Sequence, residues 1–389
     1  MLPGVFAAGL LLALGQTQWE AGLRTELRGY DDGAGDLVLV PDLAIEDRSR
    51  DLLLRARYDP QLLFREPRPR DTFGAAHRDE LTAAFRLDRD LSLTLIQSGS
   101  VGPSDMSWVS LDPSAAPFLG VVSYRSPLVT FINETVSAKI EGRVSRQLSL
   151  NATAGFGITG GLGQQVTTYP RTDAVSASAG ATWTERRDTF TLGANGSYGW
   201  VTGGYDTMFY GGSVAWRHAY TLASERTLTA SAVDVPDETL GPRYETELRA
   251  GFAGLGGNTP YQQSGVIPTG EASLFREAPR RPGALAARVT LRYAPVIDPL
   301  TGAFIARGEL SAKLDLWLDR HFAATATGGL GYAPQPGPNY PKTLGQEGLA
   351  LTYEPSPGIA FSAGGRVAHI PQTEWAGIVT ASFQQRGRL

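Results

Sequence analysis

The residues that could do chemistry in this chain recur at every second position. Arg24, Glu26 and Arg28 form one such set and Arg55, Arg57 and Asp59 another; Lys139, Glu141 and Arg143 follow, then Arg288 and Arg292, and finally Arg307, Glu309, Lys313 and Asp315. Arg86 holds the same phase in its own segment. Side chains two apart on an extended strand share a face, so each set would place ionised groups on one side of a strand. Facing water inside a wide barrel, such rows would give a lining with a basic bias and raise the local concentration of anions. Paired across strands, the same rows would stiffen the wall, each pair adding little. The two uses are compatible, and all of these residues except Glu26 and Asp59 are candidate pore-lining groups.

Catalytic patterns are poor by comparison. There is no G-x-S-x-G elbow, no H-E-x-x-H and no P-loop, and the glycines at 160–161 and 254–257 lack a following Lys-Ser/Thr. The four histidines, His77, His218, His321 and His369, are far apart in sequence. The expectation is a protein that is not an enzyme and carries no cofactor. A barrel hydrolase, the third reading, would need a histidine within hydrogen-bond reach of an Asp or Ser at a lipid-facing or extracellular rim.

The elements that must position the charged rows are long strands. In residues 130–159, TFINETVSAKIEGRVSRQLSLNATAGFGIT, the first arm sets a mostly apolar face, Ile132, Glu134, Val136, Ala138, Ile140, Gly142 and Val144, against Asn133, Thr135, Ser137, Lys139, Glu141 and Arg143. The second sets Leu148, Leu150, Ala152, Ala154, Phe156 and Ile158 against Ser149, Asn151, Thr153 and Thr159. Only Ser145, Arg146 and Gln147 separate the arms. Strands of soluble sandwiches run to about 5 to 6 residues, and these arms are about twice that. A tilted strand needs about 9 to 11 residues to cross a bilayer's hydrocarbon core.

Composition agrees. The chain has 389 residues, 46 of them glycine, with 19% charged residues and 42% hydrophobic ones. A mean hydropathy of -0.15 is too polar for a helical membrane bundle, and no run of about 18 apolar residues is present. The absence of cysteine excludes a disulfide framework and thiolate metal sites. A net charge of -4 argues against a nucleic-acid partner, which would need a concentrated basic surface. Residues 1–15 resemble a secretory signal peptide, with an apolar core at residues 5–14 and a small-residue exit, leaving residues 16–389 as one barrel domain.

Eighteen strands are expected, near residues 22–30, 37–47, 51–64, 77–88, 90–98, 130–144, 146–158, 174–185, 188–201, 208–220, 225–235, 269–277, 284–295, 302–317, 320–332, 347–354, 358–369 and 373–384. Residues 244–252 are read as a hairpin arm extending an outer loop. Tight turns at 88–90, 145–147, 185–188, 222–225, 318–321 and 355–358 alternate with long loops at 99–129, 160–173, 202–208, 236–268 and 333–346. Bacterial barrels keep short turns on the periplasmic side and long loops outside. Trp183, Tyr198, Trp200, Tyr210, Trp216, Tyr293, Tyr332, Tyr353 and Trp375 fall near expected strand ends, where aromatic girdles sit. The fold class is therefore all-β, a single antiparallel up-and-down transmembrane barrel in the outer membrane of a Gram-negative bacterium. Its surroundings would be outer-membrane lipid and lipopolysaccharide, and the closing strand, Trp375 to Phe383 followed by six further residues, resembles the signal read by the barrel-assembly machinery.

Several stretches also resemble one group of proteins: Val40-Pro41-Asp42-Leu43, the Y-x-P-Q-L-L-F-R-E-P run at 58–67, and the H-R-x-x-L-T strand at 77–82 before the Asp88-Arg89-Asp90 turn. YAPVIDPLTGAF at 293–304 and WAGIVTASF at 375–383 add to it. The group is the large outer-membrane β-barrels of myxobacteria and relatives, some of which export exopolysaccharide. The resemblance implies a conduit for a polysaccharide, working with a periplasmic export component, and carries over no individual functional residue. The charged rows by themselves reach only a wide conduit that would suit anionic solutes. A structural or adhesive barrel plugged by its loops, especially residues 103–127 and 236–268, is the reading from a different class.

Overall fold

The structure, a computed structural model, describes residues 16–30, 33–65, 73–104, 129–167, 169–220, 243–278, 280–297, 301–335, 342–370 and 372–388; the segment expected to be a signal peptide lies outside them. Nineteen strand segments form one antiparallel sheet whose last member pairs with its first. In chain order they are β1 (Gln16–Tyr30), β2 (Gly35–Arg48), β3 (Leu52–Tyr58), β4 (Gln61–Arg65), β5 (Phe73–Asp88), β6 (Leu91–Ser104) and β7 (Val129–Arg143). Then come β8 (Leu148–Gly161), β9 (Thr172–Glu185), β10 (Asp188–Val201), β11 (Tyr205–Ala219), β12 (Arg243–Gly257) and β13 (Gly265–Glu277). The remainder are β14 (Leu285–Ile297), β15 (Phe304–Trp317), β16 (Phe322–Tyr332), β17 (Thr343–Ser356), β18 (Ile359–Ile370) and β19 (Gln372–Arg388).

β3 and β4 are two halves of one wall strand, since both pair with β2 and β5 and the ladder is broken only at Asp59-Pro60. Proline has no N–H to give to a neighbouring strand. The wall is thus a closed antiparallel barrel of eighteen strands, sealed by β1 on β19 from Gln18↔Arg388 to Tyr30↔Ala376.

Two faces follow from the pleat. Val136, Ile140, Leu150 and Phe156 are 53, 43, 47 and 43% exposed, and Leu23, Leu27, Leu192, Val214, Leu291, Leu349 and Val379 are exposed in the same phase of their strands. A continuous belt of large exposed apolar side chains around a sheet is stable only in hydrocarbon. The alternate positions carry the Ser, Thr, Asn and charged residues and face the lumen.

The strand count holds, but one strand and two loops differ from expectation. Residues 244–252 belong to a wall strand, β12, paired to β11 and β13 over most of its length. The expected strand at 225–235 and the tight turn at 222–225 lie outside the described residues. Residues 236–268 are accordingly not one loop; β12 and the start of β13 occupy much of that stretch. The loop expected at 202–208 shrinks to residues 202–204. The connection at 220–242 falls at the same end of the barrel as the tight turns at 89–90, 144–147, 186–187, 318–321 and 357–358, so length alone does not assign a connection to a side. That end is called the turn end below, and the opposite one the loop end.

One hairpin departs from the wall. β13 pairs with β14 only from Gly270↔Tyr293 to Arg276↔Ala287, and β15 pairs with β16 only from Gly308↔Tyr332 onward. Tyr293 and Gly308 are partners of each other. The β14–β15 hairpin therefore leaves the sheet on both sides at one level, and beyond it residues 294–297 and 304–307 keep only their own ladder. Pro295 suits an edge, because it cannot donate to a neighbouring strand.

Candidate functional site

Among the described residues the charged rows meet on the lumen face of the wall. All fourteen candidate residues lie in the inward phase, as the register shows: Arg288 sits opposite Lys313, Arg292 opposite Glu309, and Arg86 and Glu141 both face Ser92. Several are paired. Glu26 accepts from Arg24 at 3.1 Å and from Arg28 at 2.9 Å. Arg57 forks onto Asp42 with bonds of 2.9 and 2.8 Å, Lys139 meets Glu141 at 2.7 Å, Arg307 meets Glu309 at 3.2 Å and Lys313 meets Asp315 at 3.5 Å. Among the described residues Arg55, Arg86, Arg143, Arg288 and Arg292 make no ion pair; Arg288 instead lies 5.5 Å from the Phe275 ring centroid.

The same spacing carries inward charges that were not among the candidates. Arg65 pairs with Asp36 at 3.2 Å, both nearly inaccessible, and Tyr30 donates to the same carboxylate at 2.7 Å. In β11 and β12, Glu245 takes both Arg217 and Arg243, and Glu247 takes Arg249 at 3.1 Å. Together with Glu271 and Arg288, the residues Arg217, Arg243, Glu245 and Glu247 line a polar recess of about 400 Å³. Reading Arg243-x-Glu245-x-Glu247-x-Arg249 as a wall strand would have found them. By contrast β8, β9 and β10 present Asn151, Thr153, Ser176, Ser178, Thr191 and Asn195, with no charge between Ser149 and Val201 in the inward phase. The lining therefore alternates charged arcs with neutral hydroxyl arcs.

In the loop half of the lumen the displaced hairpin tip packs on the inner face of β9, β10 and β11. Thr301, Gly302, Ala303, Phe304, Ile305, Ala306 and Arg307 are all buried. Phe304 meets Phe209 of β11 edge-on with centroids 4.9 Å apart, and its N–H donates to Thr207 Oγ1 at 3.2 Å. Two glutamines from the β12–β13 connection replace the missing strand partner. Gln262 Oε1 accepts from Thr207 at 2.5 Å and from the Phe304 N–H at 3.1 Å, while its Nε2 donates to the Phe304 carbonyl at 3.1 Å. Gln263 Oε1 accepts the Ala306 N–H at 2.8 Å. At Gly302, whose φ is +70°, an added Cβ would lie 2.8 Å from Val201 and 3.0 Å from Thr172, so only glycine seats the tip on β9 and β10. Nearby, Tyr169 lies edge-on to Phe131 at 6.5 Å, and burial pushes its phenol above the ordinary value. The inward packing thus comes from residues 258–264 and 301–307; of the two stretches expected to plug the lumen, 236–268 contributes only this short connection, and most of 103–127 lies outside the described residues.

The histidines do not converge. His77 bonds the Tyr58 hydroxyl at 2.7 Å, His321 the Glu354 carbonyl at 2.7 Å, and His369 stands 3.5 Å from Glu347. His218 bonds Asp188 at 2.9 Å on the outward face near the turn end. That pair meets the geometric condition stated for a barrel hydrolase, though among the described residues no serine or threonine hydroxyl bonds His218; His369 does bond the Thr373 hydroxyl, at 3.2 Å. Among the described residues no group of His, Asp and Glu could hold a metal ion.

No protein-family model matches the sequence, and no curated protein matches it. The fold does have solved counterparts. OpdK of Pseudomonas aeruginosa, in a crystal structure with vanillate, superposes with a TM-score of 0.50 at 9% identity, covering 95% of this chain and 99% of that one. OccAB4 of Acinetobacter baumannii gives a TM-score of 0.50 at 9% identity, covering 96% and 99%. At such identity the likeness concerns the barrel fold alone.

Proposed function

We propose that this protein is an outer-membrane channel for solutes, with a preference for anions. The observation that carries the reading is the inward face itself: arginines that close no ion pair among the described residues, Arg55, Arg86, Arg143, Arg288 and Arg292, line an eighteen-strand barrel wide enough to hold water. Uncompensated cations beside low-dielectric walls raise the local concentration of anions and lower the barrier to their passage. The apolar exterior supports placement in a bilayer, and an outer-membrane barrel named OpdK, crystallised with the carboxylate vanillate, is compatible with a lumen of this kind serving small organic anions. Export of a polysaccharide, implied by the resemblance to myxobacterial barrels, is the finer alternative within the same conduit. It would require the hairpin tip to leave the lumen to admit a polymer, in company with a periplasmic component.

Planar-bilayer conductance of the purified protein under a salt gradient tests the reading. An anion-selective reversal potential that collapses when Arg288, Arg292 and Arg307 are replaced by Gln is the expected result. A silent bilayer from folded protein would favour the second reading, a plugged structural barrel, for which the packing of Phe304 on Phe209 is the supporting observation. Loss of surface polysaccharide on deletion, with small-solute uptake unchanged, would replace the solute reading by the polymer one.

A further inference from the structure

At the turn end the lumen opens into a concavity of about 860 Å³ beneath the connections at 49–51, 89–90 and 144–147. Six arginines line it, Arg48, Arg50, Arg86, Arg89, Arg143 and Arg146, against four carboxylates. The imbalance is larger than that count, because Glu141 is neutralised by Lys139 at 2.7 Å. Arg48 pairs with Glu46 at 3.5 Å, and among the described residues the other five guanidiniums make no ion pair. Two of them are held by backbone carbonyls instead. Arg143 donates to the Ser145 carbonyl at 3.2 Å and to the Arg146 carbonyl at 3.3 Å, and Arg86 donates to the Asp88 carbonyl at 3.4 Å. A carbonyl orients a guanidinium without neutralising it, and each guanidinium has five N–H donors, so most remain uncommitted.

We propose that this concavity is a binding site for small, multiply charged anions, polycarboxylates or polyphosphates, at the turn-end mouth of the channel. The occupant is a solute because Ala84, Ser92, Ser149 and Thr184, which also line the concavity, belong to the inward face of the wall, so the site is continuous with the lumen. Its volume falls within the range of about 300 to 1,000 Å³ usual for small-molecule sites. The positive charge lies farther along the lumen than the paired arginines of the loop half, Arg28, Arg57 and Arg65, and this gradient would draw anions toward the turn end. The inference deepens the channel reading and rests on it for the route of entry.

Isothermal titration calorimetry of the full chain folded in detergent, with tripolyphosphate as the probe, tests the site apart from conduction. One site per barrel is expected, weakening with added salt. Its affinity should fall by about tenfold or more in an Arg86→Gln, Arg143→Gln, Arg146→Gln variant and be partly recovered in the corresponding Lys variant. Should the triple variant fail to fold, Arg146→Gln alone, in an exposed turn, should still weaken binding. Unchanged binding in the Gln variants overturns the proposal, as does loss of binding on replacing Arg288 and Arg292 instead. Tighter capture of a poly-glutamate peptide than of tripolyphosphate would also overturn it, in favour of an acidic segment of a partner protein. A silent bilayer with mutation-sensitive binding sinks the channel and leaves the site; a conducting barrel with unaltered binding does the reverse.

Discussion

Hairpins β7–β8 and β14–β15 have arms of nearly equal length, 15 and 14 residues against 13 and 14, yet the first lies in the wall throughout and the second leaves it halfway. Strand length therefore does not keep a strand in the sheet. In β7–β8 the outward phase is apolar except at Glu134 and the inward phase polar except near Phe131, so each face largely matches its medium, and the backbone pairs with a neighbouring strand on both sides. The β14–β15 tip is apolar in both phases, from Ala303 to Ala306 on its second arm. Such a segment gains nothing from one face meeting water. It buries both faces by folding inward, with Gln262 and Gln263 supplying the hydrogen bonds that neighbouring strands would have made. What matters is the match between each face and its surroundings.

The difference can be broken most severely at Gly302. Gly302→Val forces a β-branched residue into a left-handed conformation costing about 1 to 3 kcal/mol by itself, with overlap against Val201 and Thr172 in addition. The tip should be expelled while the barrel stays folded, and single-channel conductance should rise; an unchanged conductance would mean that the tip does not obstruct the path. In the well-matched hairpin, Ala154→Arg on the outward face should destabilise the barrel in lipid by about 2 to 4 kcal/mol, as a cation near the bilayer midplane does. Thr153→Arg, on the opposite face, should cost far less. Denaturant unfolding from vesicles measures both, and equal costs would refute the assignment of faces. Gln262→Ala would leave the Thr207 hydroxyl without its acceptor and the Phe304 carbonyl without the Gln262 donor, at about 1 to 3 kcal/mol for each buried orphan, while the Phe304 N–H keeps Thr207 Oγ1. The tip should then loosen, seen as added current noise and faster amide exchange at residues 304–306.

The smallest effect is expected at the foot of β15. The backbone N–H groups of His321 and Phe322 hold the Asp319 carboxylate below its ordinary value. A depressed folded-state value stabilises the fold at pH above the unfolded value of 3.8, and that contribution is lost as pH falls through the folded value. Asp319→Asn should flatten this slight acid dependence of unfolding and leave conductance untouched. An acid dependence identical in the variant would place its source elsewhere.

Much of this architecture was legible in period-two alternation. The hairpin at 130–159, the even strand number and the inward phase of all fourteen charged candidates follow from it, because one residue of slip would turn a whole strand inside out. The β12 strand was misplaced for a physical reason: residues 225–235 and 244–252 both alternate, and local pattern cannot say which of two neighbouring segments enters the wall. The displaced tip was equally hidden, because its anchors reach from Gln262 to Thr207 and Phe304, contacts between residues far apart in the chain. Which arginines are neutralised was likewise unreadable: Arg57 and Arg55 stand in one row, but only Arg57 finds a carboxylate, that of Asp42 on the neighbouring strand.

The seam between β1 and β19 joins residues nearly a whole chain apart, Gln18 with Arg388. Until it forms, both edge strands expose unpaired backbone that hydrocarbon cannot satisfy. A half-made wall is consequently not a smaller version of this protein but a sheet with two raw margins, so insertion and closure have to proceed together. The barrel's durability is then collective, residing in the circuit of hydrogen bonds more than in any one strand that completes it.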